Sequence, residues 1–194
     1  MHAPLVSSTL STLSSAERGA PPRHLGTRYS LAGEFLPEPG NTVVCHLVEV
    51  SASQKAIVTA LQRLMDMPEA ATHLAFTPVS SLHMTVFQGI IEHRRNWPYW
   101  PKEMLADTSI DEMTVYYTER LKEFPALPRF SMQVEEVTPL GLTLKGASEN
   151  DDRIIAEWRD AFASFFGYRH PDHEIYQLHI TFAYVRRWLE PECL

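Results

Sequence analysis

A five-residue pattern, Leu-His-apolar-Thr-apolar, occurs twice in this chain, at residues 82–86 and again at residues 178–182. Both copies lie in runs rich in β-branched and aromatic residues, SSLHMTVFQG and YQLHITFAYV, which are typical of β-strands. Multiplied composition frequencies predict only about 0.01 chance occurrences of the full pattern. The repeat therefore favours a fold that contains two equivalent strands.

The spacing inside each copy determines which side chains share a face. Side chains alternate along a strand, so residues two apart point the same way. His83 and Thr85 are therefore predicted to lie side by side, and so are His179 and Thr181. The apolar residues between them would face the core.

Each motif strand is preceded by a similar order of predicted elements. In the first half, Thr42–Val50 predicts a buried strand and residues 51–67 predict an amphipathic helix. In the second half, residues 140–146 predict a strand and residues 148–167 a helix. This order indicates a duplicated β-α-β unit, with two lobes related by pseudo two-fold symmetry. Such symmetry would bring the two His-Thr pairs face to face across a cleft.

The domain organisation follows from length and local composition. Residues 1–28 are rich in Ser and Thr and show no amphipathic pattern, so a flexible N-terminal arm is expected there. Residues 29–194 are long enough for a single bilobal domain with its own core. No apolar run reaches the roughly 18 residues of a membrane span, so we expect no membrane partner.

Charge and cysteine content restrict the partners. The formal net charge is -7, which argues against a grip on long nucleic acid, because phosphate neutralisation supplies most of that affinity. A small phosphoester or a nucleic-acid terminus remains possible as substrate, since a pocket can be locally positive. Cys45 and Cys193 lack metal-type spacing and are expected to be free thiols in a reducing, cytoplasmic setting. We expect a monomer.

Two imidazoles and two hydroxyls suit the cleavage of a phosphodiester without a metal. One imidazole can accept a proton while the other donates one, because imidazoles titrate near neutral pH. Two hydroxyls can donate hydrogen bonds to the phosphoryl oxygens on which charge accumulates. The alternative is that each motif is an inward strand position whose histidine is satisfied by the neighbouring threonine.

At these residues the chain resembles the two-histidine (2H) phosphoesterase superfamily, whose mark is a pair of His-x-Ser/Thr motifs on duplicated lobes. PGNTVVCHL and HRRNWPYWP look like a bacterial branch of unassigned function, and the resemblance covers residues 29–188. It implies an α+β, LigT-like fold, with antiparallel sheets around a central cleft and helices outside. It also implies that His83 and His179 are the catalytic acid/base pair, and that Thr85 and Thr181 bind phosphate.

The function that the resemblance implies is hydrolysis of a cyclic phosphodiester, without a cofactor and without a metal. The substrate would be a 2′,3′-cyclic nucleotide, an RNA end or an ADP-ribose cyclic phosphate. Three alternatives stay open: an RNA-end ligase, a non-catalytic module that binds nucleotide or phosphate, and a metal-dependent hydrolase.

Two further residues are candidates for substrate binding. Gln177 is in phase with His179, so it is predicted to face the cleft. Tyr184 lies where relatives in the superfamily often place a substrate contact, but strict alternation puts it on the opposite face. A twist or bulge after His179 would be needed to bring Tyr184 to the site.

Other chemically capable side chains have simpler explanations. His46 lies in a predicted strand, where a core histidine is the expected role. Trp97, Tyr99 and Trp100 could stack a nucleobase but are expected to pack as the wall of a loop. The two arginine pairs, at 94–95 and 186–187, are expected at the surface. His170 and His173 have ligand-like spacing without a third ligand.

Overall fold

The fold is a five-stranded antiparallel sheet with helices, next to a small two-stranded sheet. It was obtained as a computed structural model, which describes residues 20–189. The elements are β1 (Val43–His46), α1 (Ala52–Met65), α2 (Ala70–His73), β2 (Leu74–Phe76), β3 (His83–Phe87), α3 (Ile110–Leu121), β4 (Met132–Thr138), β5 (Gly141–Gly146), α4 (Glu149–Phe166), β6 (His179–Thr181) and β7 (Ala183–Val185).

The order of strands in the large sheet is β1-β3-β6-β5-β4, and β2 pairs with β7 in the small one. All strand pairs are antiparallel. The predicted α+β class with antiparallel sheets is therefore confirmed. Both motif strands, β3 and β6, lie next to each other in the middle of the same sheet. The two His-Thr pairs are consequently side by side on one sheet, whereas the sequence predicted them face to face across a cleft.

One apolar core joins the sheet to the helices. Met84 and Ile180, the central residues of the two motifs, are each only 3% exposed. They belong to a single cluster of buried residues with the inward faces of α1, α3 and α4. The histidines and threonines that flank them are half-buried, so the alternation predicted from the sequence is confirmed.

Strand β1 differs from its prediction. The sequence predicted a buried strand over Thr42–Val50, but the strand covers only Val43–His46 and forms the edge of the sheet. An edge strand has a neighbour on one side only, and Cys45 and His46 are accordingly exposed. The expectation that His46 is a core histidine was wrong for this reason.

Helix termini follow the expected capping chemistry, with one shift. Ser51 and Ser148 cap α1 and α4, and Gly167 ends α4 in the left-handed region at φ 78°. The sequence predicts that helix α3 begins at Asp107 or Thr108, but its cap is Ser109. That residue forms a capping box with Glu112.

The predicted N-terminal arm falls partly outside the described residues, since residues 1–19 are not described. From Ala20 onward the chain contacts the domain, nine residues earlier than the predicted start at residue 29. The carbonyl of Ala20 accepts a hydrogen bond from Trp188 at 2.9 Å. Tyr29 is 1% exposed, and its hydroxyl donates to the carbonyl of Val185 at 2.6 Å. This segment therefore holds the end of β7.

Among the described residues, no helix has both the length and the apolar character that crossing a membrane would require.

Gly141 sets the close approach of β5 to β6 and provides a test of the sheet. A Cβ atom at this position would lie 2.0 Å from the carbonyl oxygen of Ile180. We expect Gly141→Ala to lower the free energy of unfolding by about 1–3 kcal/mol, because the strands must separate to admit the methyl group. Chemical denaturation measures this, with Lys145→Ala at an exposed position of β5 as the control. Equal stability of the two variants would contradict the predicted contact.

Candidate functional site

The register of β3 and β6 brings the two motifs together. Met84 is the partner of Ile180 across the central pair of strands. Because the strands are antiparallel, this register places Thr85 opposite His179 and His83 opposite Thr181. Directly opposite side chains have Cβ atoms about 5 Å apart, and diagonal neighbours about 7–8 Å. The four side chains thus form a compact group of two imidazoles and two hydroxyls, with the histidines on one diagonal.

Both histidines are held in the same way. The Nδ1 atom of His83 lies 2.7 Å from the carbonyl oxygen of Ser81, two residues before it. The Nδ1 atom of His179 lies 2.8 Å from the carbonyl oxygen of Gln177, again two residues before. A carbonyl oxygen can only accept, so each Nδ1 carries the proton in the neutral ring. Each Nε2 then has a free lone pair with which to accept a proton.

Strand β5 extends the same face beyond the second motif. Thr143 lies opposite His179 and is half-buried, so it adds a third hydroxyl next to this imidazole. Gly141 lies opposite Thr181 and has no side chain to cover it. Thr181 is thereby left open from the β5 side.

Tyr176 connects the two motifs. Its ring lies 5.7 Å from the ring of His179, and its hydroxyl lies near enough to that of Thr85 for hydrogen bonding between them to affect the pKa of Tyr176. Burial raises the pKa of Tyr176, while the hydrogen bond to Thr85 and the nearby Arg159 offset part of this rise. The phenol therefore stays protonated at neutral pH and can donate. The guanidinium of Arg159 lies over its ring at 4.7 Å.

Gln177 is close to the site, but its amide is already engaged. Its Nε2 donates to the carbonyl of Leu144 at 3.2 Å and weakly to that of Leu178 at 3.4 Å. Its own main-chain carbonyl accepts the proton of His179. These contacts make Gln177 an anchor of His179 and attach the start of β6 to β5.

The side chain of Tyr184 is half-buried, because the alternation of buried and exposed residues is interrupted between β6 and β7. Phe182 and Ala183 are both buried, so the alternation shifts by one residue between β6 and β7. The hydroxyl of Tyr184 accepts from Arg28 at 3.4 Å, and its ring stacks on Tyr29 at 5.5 Å.

The aromatic loop after β3 is mainly structural. Trp100 is 2% exposed and belongs to the core, and Tyr99 packs against His170 at 5.0 Å. Trp97 is half exposed, with the ammonium of Lys102 over its ring at 4.0 Å. Only Trp97 therefore keeps a surface that could stack a base.

The arginine pairs that follow the motifs mostly bind the protein itself. Arg95 forms an ion pair with Glu92 at 2.6 Å. Arg186 donates to the main-chain carbonyls of Leu31 and Ala71. Arg94 lies over the ring of Tyr99 at 4.2 Å. Three of the four arginines therefore contact other parts of the protein, and Arg187 is the exposed member of the two pairs.

A cavity of about 290 Å³ lies between α4 and residues 173–178, and its lining includes neither motif histidine. Its lining includes Tyr176, the buried Arg159 and a group of three potential metal ligands, Asp160, His173 and Glu174. Arg169 already pairs with both carboxylates, at 2.8 Å and 2.5 Å. The guanidinium thus occupies the position that a metal cation would need.

His170 and His173 do not act together. His173 lies 3.2 Å from Asp160, whereas His170 packs on the ring of Tyr99 at 5.0 Å. The ligand group found among the described residues includes His173 and not His170. The two histidines with ligand-like spacing in the sequence therefore contact different partners and do not form one metal site.

Two contributors to the face were missed in the sequence, His46 and Tyr176. His46 is the register partner of His83, and their rings lie 6.0 Å apart. A strand pattern in the sequence shows which residues share a face, but it does not show which strands pair. Tyr176 lies three residues before His179, and the short 3₁₀ turn at His173–Ile175 brings it to the site.

Comparisons with known proteins give a family and one close structural relative. The model of the family 2H-phosphodiest, a domain of unknown function (DUF1868), matches residues 28–143, which include the first motif and end before the second. The crystal structure of the conserved protein of unknown function ATU0111 from Agrobacterium tumefaciens str. C58 superposes with a TM-score of 0.92 at 60% identity. The match covers 96% of this chain and 80% of that one. No curated protein matches the chain significantly.

The buried His170 predicts a pH dependence of stability. Burial, followed by the nearby Arg94, lowers its pKa from 6.5 to about 4. Between these values the unfolded chain binds a proton that the folded protein does not, so stability should fall as the pH falls from about 6.5 to about 4. Urea denaturation across this range should show a shallower decline in His170→Asn than in the wild type. The exposed His93→Asn serves as the control, and an equal decline in all three proteins would contradict the assignment.

Proposed function

Because this chain belongs to the 2H-phosphodiest family (DUF1868), we propose that it is a metal-independent phosphoesterase that hydrolyses a cyclic phosphodiester. The substrate class is a 2′,3′-cyclic nucleotide, an RNA end or an ADP-ribose cyclic phosphate. His83 and His179 act as general acid and general base. Thr85 and Thr181 bind the phosphoryl oxygens.

One observation carries this proposal: the two histidines have matching anchors on neighbouring strands. Hydrogen bonds of 2.7 Å and 2.8 Å from Nδ1 to a main-chain carbonyl orient both rings and leave both Nε2 atoms available. A core histidine would be expected to use both nitrogens inside the protein. A pair of oriented imidazoles with one free nitrogen each is what proton transfer in two directions needs.

The reaction then follows from the positions of these groups. One Nε2 accepts a proton from water as the water oxygen bonds to phosphorus. The other Nε2 donates its proton to the ribose oxygen as the phosphorus–oxygen bond of the ring breaks. The product is a phosphomonoester with a free hydroxyl, and the two imidazoles have exchanged protonation states. Thr85 and Thr181 donate to the two non-bridging oxygens throughout.

We also propose that the site lies between two related halves. The units β1–α1–β3 and β5–α4–β6 have the same order of elements, and their final strands meet at the centre of the sheet. The equal anchoring of His83 and His179 supports this relation. The cleft would be the space above the exposed face of β3 and β6.

The first prediction for this function concerns the two histidines. We expect His83→Ala and His179→Ala each to lower kcat by roughly 10²–10⁴ on 2′,3′-cyclic nucleotides, since each removes one proton transfer. The double variant should lose less than the product of the two, because the groups act on one transition state. The rate should fall at both low and high pH in the wild type, since one imidazole must be neutral while the other is protonated. The two limbs of that profile belong to the pair.

Controls separate this function from the alternatives. His93→Ala changes an exposed histidine outside the strands and should keep full activity and the wild-type melting temperature. EDTA should leave the rate unchanged. Loss of activity on chelation, restored by zinc, would show a metal-dependent hydrolase. Tight phosphate binding with no turnover would show a binding module, and unfolding of both alanine variants would show structural histidines.

Tyr176 and Thr85 give a second prediction. If the Tyr176 hydroxyl donates to the Thr85 oxygen, the Thr85 proton is directed to the phosphoryl group. We expect Thr85→Val to lower kcat/KM about tenfold to a hundredfold, because it removes a hydrogen bond to a charged group. Tyr176→Phe should cost about threefold to tenfold. It should add nothing further in the Thr85→Val background, because it acts through that hydroxyl.

The control for Tyr176→Phe is Tyr116→Phe, since the hydroxyl of Tyr116 accepts from Arg120 on the exposed side of α3. This variant should retain wild-type kinetics. Full additivity of Tyr176→Phe with Thr85→Val would exclude the proposed relay between the two hydroxyls.

A further inference from the structure

His46 adds a third imidazole to the face that carries the motifs. It is the partner of His83 in the register of β1 and β3, and the two ring centroids lie 6.0 Å apart. Directly opposite residues of an antiparallel pair share a face, so His46 lies on the same side as His83 and Thr85. The site therefore extends one strand further towards the edge of the sheet.

The side chain of His46 is available to a ligand. It is exposed, and it makes no hydrogen bond to any other residue between 20 and 189. It contributes nothing to the apolar core, which contains Met84 and Val86 from the neighbouring strand but not His46. An imidazole has at least one N–H donor in either protonation state. His46 can therefore donate a hydrogen bond to a group that lies beside His83.

The strands around this position carry no carboxylate that would repel an anionic group. The strands β1, β3, β6 and β5 contain no carboxylate, although the chain as a whole has a net charge of -7. The only acidic residues in strands of this sheet, Glu135 and Glu136, lie on β4 at the far edge from His46. The nearest acidic residue along the chain is Glu49, in the loop beyond β1. The strands next to His46 thus place no carboxylate beside a negatively charged group bound there.

We infer that His46 binds a second anionic group of the substrate, adjacent to the phosphate held between His83 and His179. This rests on the proposed function and narrows its substrate to a cyclic phosphodiester with a further phosphate. Neighbouring strands lie about 4.8 Å apart, so β1 lies about 7 Å from the midpoint between β3 and β6, where the scissile phosphate is held. The 5′-phosphate of a nucleoside 2′,3′-cyclic phosphate is the simplest group of this kind.

Kinetics on a matched pair of substrates test this inference. The pair is adenosine 2′,3′-cyclic phosphate with and without a 5′-phosphate. The wild type should prefer the 5′-phosphorylated form about tenfold or more in kcat/KM, as expected for a hydrogen bond to a charged group. In His46→Asn, KM for that form should rise about tenfold while kcat stays within about twofold. The form without the 5′-phosphate should be unaffected.

A rescue variant and a control complete the experiment. His46→Lys should restore much of the preference, because an ammonium also binds phosphate. His93→Asn should behave as the wild type, since this exposed histidine lies outside the strands. Equal use of both substrates by the wild type would overturn the inference. A loss in His46→Asn that is the same for both substrates would overturn it as well, since His46 would then act only through His83.

Failure of the proposed function would be seen separately. If the wild type hydrolyses neither substrate, calorimetric binding of the same two compounds decides the role of His46. Tighter binding of the 5′-phosphorylated compound that disappears in His46→Asn would sustain the inference without catalysis. Equal binding of both compounds would overturn it.

Discussion

The direct pairing of β3 with β6 is the constraint on which the site depends. A single register, Met84 opposite Ile180, decides that each histidine faces a threonine of the other motif. A slip of one residue would move the histidines and threonines to the core side, because side-chain direction has a period of two. The core opposes such a slip, since Met84 and Ile180 are both nearly inaccessible and pack with the same helices. Packing on the core face of the sheet thus fixes the positions of the histidines and threonines on the opposite face.

The second constraint is the way in which main-chain carbonyls orient the imidazoles. The segments before β3 and β6 each place a main-chain carbonyl two residues ahead of the histidine. The carbonyl of Ser81 lies at the end of one 3₁₀ turn, and that of Gln177 lies just after a second 3₁₀ turn. No carboxylate is used for this purpose at either histidine. A neutral acceptor fixes the ring without adding a negative charge beside the phosphate that we propose to bind there. That choice is consistent with the absence of acidic residues in the four strands around the site.

Much of this arrangement could be predicted from local sequence, and the reasons are physical. Alternation along a strand is a local property, so the shared face of His83 and Thr85 followed from their spacing alone. Capping is also local, which is why the ends of α4 at Ser148 and Gly167 were predictable. Pairing partners and sheet edges depend on residues far apart in the chain. The exposure of His46 and the contact of Tyr176 with Thr85 were therefore not visible in the sequence.

The phase change between β6 and β7 has a consequence for sequence variation in this region. Phe182 and Ala183 are consecutive buried residues at the point where the chain passes from the large sheet to the small one. Because of this double step, His179 and Tyr184 are half-buried although they are an odd number of residues apart. Insertion or removal of one residue here would shift the alternation between the two sheets, so that either His179 or Tyr184 would turn towards the core. We therefore expect insertions and deletions between β6 and β7 to be less well tolerated than substitutions there.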